Sequence, residues 1–151
     1  LLLSGRYMPH AEAHEIGLTS LGWLVSVQKA QGGHFRPIGS NGFYEMNGAH
    51  ADFDQQPVEA LAIVSACLEA FRVTQDVLWW KEAKRAFEWF LGRNDLGLPL
   101  YDSSSGGCSD GLHEDRVNEN QGAESTLAFH LSLAEMKFAE HAIVPASHGA
   151  E

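Results

Sequence analysis

Two cysteines in 151 residues are too few for a disulfide framework. Their settings also differ: Cys67 lies in an apolar helical pattern and Cys108 in a glycine-rich loop, so neither a bridge nor a zinc spacing is suggested. A reducing cytoplasm is the expected compartment. Basic residues are scarce, ten Lys and Arg against twenty Asp and Glu, for a formal charge of −10. Such a chain repels a phosphate backbone, and no basic cluster overrides the repulsion locally, so nucleic acid is not an expected partner. No apolar run approaches the roughly 20 residues that cross a bilayer, and no basic segment leading into a short apolar one opens the chain. No membrane span is expected. Sustained apolar/polar alternation is missing too, which argues against strands as the main framework.

What is present suits a core. Hydrophobic residues make up 44% and charged residues 20%, a globular composition at a length that fits one domain. The opening "LLLSGRYMPH" has no initiator Met and starts inside an apolar run, so the chain is expected to be a piece of something larger.

Four segments carry helical periodicity, and the expected class is all-α. The first covers roughly residues 11–31, with Leu18, Leu21 and Val25 on one face and Gly32–Gly33 behind it. The second starts at Pro57, a good first-turn residue, and runs to about Val73 with apolar residues nearly all round. The third follows the N-cap candidate Asp76, carries Val77, Trp80, Ala83, Phe87 and Phe90 on one stripe, and stops at Gly92. The fourth spans about 122–141. Three residues between the second and third force an antiparallel hairpin, whereas the connections 32–56 and 92–121 far exceed a usual helix link. If neighbouring helices alternate direction, both long connections fall at one end, which is then the working end.

A repeat is also suggested. Trp23 and Trp89 are 66 positions apart, and Gln56 and Gln121 are 65 apart. Each unit then reads as a helix with a central Trp, a long glycine-rich loop, and Gln-x-x-Glu at the next helix start, as in stacked or ring-closed helical hairpins.

Glu at the third helical position has an ordinary use, completing a capping box or meeting the positive end of the helix dipole. Glu59, however, falls outside the polar stripe of Ser65, Glu69 and Arg72 and over Ala62, Ile63 and Ala66. Glu124 shares its face with Ala128 and Leu131 but also with Glu135. The loops add Asp52, Asp54, Asp102, Asp110, Glu114, Asp115 and Glu119. Converging carboxylates are what glycoside cleavage needs, one protonated to release the leaving oxygen and one ionised to activate water or attack. The candidate acid/base pairs are Glu59 with Asp54 and Glu124 with Glu119. Aromatic residues thread the same loops (Phe35, Phe43, Tyr44, Phe53, Tyr101), and amides accompany them. An acidic, amide-rich, aromatic cleft suits a neutral polyol. The expected ligands of an oligosaccharide are therefore Gln56, Gln121, Asn118, Asn120, Tyr44, Tyr101, Asp102 and His113.

Metal would be the competing use. His10 and His14 are spaced i, i+4, and His34, His50 and His113 lie in loops, but "HAEAH" is not a zincin helix and no Cys/His quartet exists. The stretch "YDSSSGGCSDG" does not match an EF-hand. No glycine stretch follows a strand as a phosphate loop or dinucleotide fingerprint must. Neither metal nor cofactor is expected.

Two strings, "FLGRNDLGLPLYDSSSGGCSDGLH" and "RVNENQGAESTLAFHLSLAEM", resemble the C-terminal helical region of bacterial proteins described as glycosyltransferases. That region is similar to the six-hairpin glycosidases with their (α/α) toroid, and the likeness covers about residues 10–140. It implies a carbohydrate-active module with its sugar cleft at one end of a helical ring. Four helices cannot close such a ring, so the chain is expected to be an incomplete toroid whose exposed edges meet the rest of the ring or a second copy. A nucleotide-sugar site would lie outside it. Two other readings stay open: a non-catalytic helical scaffold in which Gln-x-x-Glu only caps helices, and an epimerase of free sugars using a pair from His34, His50, His113 and His130.

Overall fold

The computed structural model describes residues 1–7, 11–45 and 48–143, with Arg6, Ala142 and Ile143 described by backbone alone. His10 lies outside the described residues. The chain is mostly helical, as an all-α reading requires: α1 (Leu2–Tyr7), α2 (Ala11–Val27), α3 (Pro57–Thr74), α4 (Val77–Phe90) and α5 (Ala123–Ile143). A two-stranded antiparallel ribbon, β1 (Gly111–Leu112) with β2 (Val117–Asn118), sits in the second long connection. Among the described residues no helix is long and apolar enough to cross a membrane.

Local chemistry sets the ends of the α3–α4 hairpin. Pro57 occupies the first turn of α3, where its missing N–H costs nothing. Gln75 takes a left-handed conformation (φ 58°) at the other end and donates its N–H to Phe71 O. Asp76 then caps α4 by accepting from Leu78 N at 2.9 Å. Gly92, at φ 97°, supplies the left-handed residue after α4.

The core follows from these faces. Ala60, Ile63, Val64, Cys67, Leu68 and Ala70 of α3 are all buried, because α3 packs on α4 and α5 and also on α1 and α2. Near the loop end, Phe90 meets Phe129 edge-on at 5.6 Å, and Tyr101 stacks on Phe129 at 4.0 Å. Each such large side chain contributes about 1.5–3 kcal/mol by leaving water.

Two expectations are corrected. Helix α2 ends at Val27 rather than near Gln31, because Arg85 of α4 takes the carbonyls that would have continued it. Its guanidinium donates to Val25 O (3.2 Å), Gln28 O (3.0 Å) and His34 O (3.3 Å). The chain reverses instead through Gly33 (φ 81°), with Arg36 N donating to Gln28 O and Ala30 N to His34 O. The polar stripe of α3 is partly taken into the bundle: Glu69 is buried, and Ser65 donates to Glu135 of α5 at 2.8 Å. The repeat does not hold side chain by side chain. Trp89 is fully buried and Trp23 is 55% exposed. Gly122 O accepts the first helical bond of α5, from Thr126 N, which makes Gly122 the counterpart of the N-cap Gln56. Glu59 is therefore the third residue of its helix and Glu124 only the second, about 100° apart around the axis.

Candidate functional site

Both long connections meet at one end, and a buried carboxylate joins them. Asp95, from the second connection, accepts from Arg36 Nε through both oxygens (2.9 and 3.0 Å), from Arg36 Nη2, and from His34 Nε2 at 3.0 Å. Gln55, fully buried, donates to Asp95 Oδ2 at 2.6 Å and to Asp52 O at 2.8 Å, while its carbonyl oxygen accepts from Trp89 Nε1 at 2.7 Å. Burial pushes the Asp95 carboxyl up, but the hydrogen bonds from Arg36, Gln55 and His34 outweigh it and hold the group below its ordinary range. The backbones of Gln55 and Leu112 exchange two hydrogen bonds of 3.0 Å each, carrying the ribbon into the same lock.

This lock sets Asp54, the neighbour of Gln55, against His113, the neighbour of Leu112. Asp54 Oδ1 bonds His113 Nδ1, and Asp54 sits in the left-handed region at φ 58°. A non-glycine residue there is uncommon, and it persists because the surrounding bonds over-determine it. His113 opens onto a cleft of about 520 Å3 lined also by Leu98, Asp115, Arg116, Val117, Asn118 and Glu119. Three residues expected from sequence, His113, Asn118 and Glu119, therefore share one cleft with Asp54 behind them.

The remaining candidates are placed differently. Glu59 does not reach back to its helix start. Its Oε2 accepts from Gln28 Nε2 (3.1 Å) and from Ile38 N (3.2 Å), pinning the first connection. Burial raises its carboxyl above the ordinary range against the opposing pull of those two donors. Glu124 is exposed at the start of α5, one position short of the inward-facing third residue, which is the buried Ser125. Gln56 is exposed and donates to Ser40 Oγ at 3.4 Å without capping α3.

Asp102 and Gln121 form a second cluster. Asp102 accepts from Ser104 N and Oγ (2.8 and 2.7 Å), Ser105 Oγ (2.9 Å) and Gln121 Nε2 (3.4 Å), and the Ser104 bonds foremost hold its carboxyl well below the usual range. Asn120 belongs to a third, bonded to Asp110, which also accepts from Gly122 N at 2.8 Å. Tyr101 is half-buried and lies flat on Phe129 against the core. Tyr44 stacks on the exposed Trp23 with ring centroids 6.0 Å apart and meets His50 edge-on.

Sequence reasoning missed Gln55, Asp95, Arg36 and Arg116. Gln55 had a signal, since it is the residue facing opposite to its identical neighbour in an extended segment. The Arg36–Asp95 pair, 59 residues apart, had none. Among the described residues no group of three or more His, Cys, Asp or Glu is arranged to hold a metal. Cys67 and Cys108 are buried free thiols, both pushed up to about 12 by burial, which leaves them inert as nucleophiles. Compared with protein-family models and with curated proteins, the chain matches none.

Proposed function

We propose that the loop end of this chain binds an oligosaccharide, and that its helical hairpins belong to an (α/α) toroid of the kind found in six-hairpin glycosidases and glycosyltransferase-associated regions. The observation that carries the reading is the cleft in which His113, Asn118 and Glu119 come together over Asp54. Sugar hydroxyls need both donors and acceptors, and amide, carboxylate, imidazole and the Arg116 guanidinium supply them. The exposed Trp23–Tyr44 stack, from the C-terminal half of α2 and the first connection, offers an aromatic platform for a sugar's apolar face.

Any proton transfer falls to His113 and Glu119 rather than to Glu59. With Asp54 accepting from Nδ1–H, the imidazole is fixed in the tautomer whose Nε2 takes a proton, and of the two cleft carboxylates Asp115 is bonded to Arg116, which leaves Glu119 as the partner proposed for proton transfer. Glu59 is a positioning residue that holds Gln28 and Ile38. The proposed setting is a reducing cytoplasm, in keeping with the two buried thiols.

A scaffold reading is favoured by one specific observation: the bonding groups of Asp102, Gln121, Asp110 and Asn120 are spent on one another, on Ser104 and Ser105, and on the start of α5. The two readings separate on a single experiment. Manno- and gluco-oligosaccharides incubated with the chain, followed by mass spectrometry, should give retention or shortened products that a Glu119→Gln, His113→Ala variant loses. Neither retention nor cleavage would leave the scaffold.

A further inference from the structure

Helix α5 turns Ser125, Phe129, Ser132, Met136 and Ala139 into the core. On its other side an exposed line runs Glu124, Leu127, Leu131, Ala134, Phe138, His141. Its spacing of three, four, three, four, three is the two-residues-per-heptad pattern of a coiled-coil seam, carried over about 26 Å of helix at 1.5 Å per residue. The apolar members are large and open to water: Leu127 is 58%, Leu131 50% and Phe138 76% exposed. An isolated exposed Leu means little, but a continuous seam of them does.

The seam is the same read backwards, with acid at one end and imidazole at the other. We propose that its partner is a second copy of this chain, packed antiparallel through α5. That register sets Glu124 against His141, Leu127 against Phe138, and Leu131 against the small Ala134. Across the two-fold axis every pairing occurs twice, as an isologous interface requires. On the exposed flank Lys137 faces His130 of the second copy, so two ammonium groups do not meet, while Ala128 and Glu135 are turned into the chain's own bundle. The antiparallel arrangement also opposes the helix dipoles. This interface uses no residue of the proposed sugar cleft and stands or falls separately from it.

Sedimentation equilibrium of the whole chain across the micromolar range tests the pairing. The expected result is a reversible dimer. Leu131→Glu, which would bury one unpaired charge per copy, should weaken it by about a hundredfold or more. Leu131 is half exposed, so circular dichroism and melting of that variant should match the parent at concentrations where both are monomers. Glu124→Lys should weaken the dimer, and Glu124→Lys with His141→Glu should restore it to within about threefold, a rescue that only the antiparallel register gives. A chain that stays monomeric throughout, or a dimer indifferent to Leu131→Glu, would overturn the proposal.

Discussion

Replacing Gln55 by Leu roughly keeps the volume and removes the side-chain amide from the centre of the lock at the loop end. Three consequences follow from its contacts. The Trp89 indole N–H, fully buried, loses its acceptor and stays desolvated, a cost of about 1–3 kcal/mol. Asp95 loses one donor but keeps Arg36 and His34, and a hydrogen bond to a charged group is worth about 1.5–3 kcal/mol. The Asp52 carbonyl loses a partner near solvent, where water replaces it at little cost. Together these predict a loss of about 2.5–6 kcal/mol, or a fall in Tm of roughly 5–24 °C for a chain of this size. Urea and thermal unfolding of the purified variant measure it. A double-mutant cycle with Trp89→Phe isolates the buried pair. Once Gln55 is gone the indole N–H is a liability, so the double variant should lose at least about 1 kcal/mol less than the two singles together. A cost below about 1 kcal/mol, or strict additivity, would refute the lock.

Other perturbations read other parts of the same end. Asp95 has a depressed folded pKa, so its contribution is complete above the ordinary carboxylate value and is lost as pH falls through the depressed one; the stability gap between parent and Asp95→Asn should hold steady from pH 7 to 5 and close below about pH 4 in urea melts. Glu59 has the opposite shift. Its folded state favours the proton, so the parent should gain on Glu59→Gln as pH falls from 7 towards 4, while at pH 7 the substitution changes stability by less than about 1 kcal/mol in thermal melts. Gly39→Ala places a methyl 1.7 Å from the Phe53 carbonyl oxygen. Backbone must move to admit it, and calorimetry should show a loss of about 2 kcal/mol or more.

Much of the helical frame was legible because its signals are local. Pro57, Asp76 and Gly92 mark ends that side-chain and backbone chemistry alone can set, and α3, α4 and α5 fall within about two residues of the reading. The end of α2 was not legible, since Arg85 enforces it from 57 residues away along the chain. The short α1 had no cap to announce it. At the site, the meeting of the two long connections followed from helix direction alone. Which helix-start carboxylate turns inward did not: Gln-x-x-Glu looks identical at 56–59 and 121–124, yet one residue of offset against the helix start turns Glu59 onto Gln28 and Ile38 and leaves Glu124 in water. Asp54 and His113 were each visible as loop residues, but their pairing depends on the ladder between Gln55 and Leu112, which no spacing records.

The most direct test of a sugar site at the loop end is a calorimetric titration of the chain with gluco- and manno-oligosaccharides, run in parallel on the His113→Ala, Glu119→Gln variant after unfolding curves show its fold intact. Saturable heat in the parent that vanishes in the variant is the expected result. Heat absent from both, or equal in both, would contradict it.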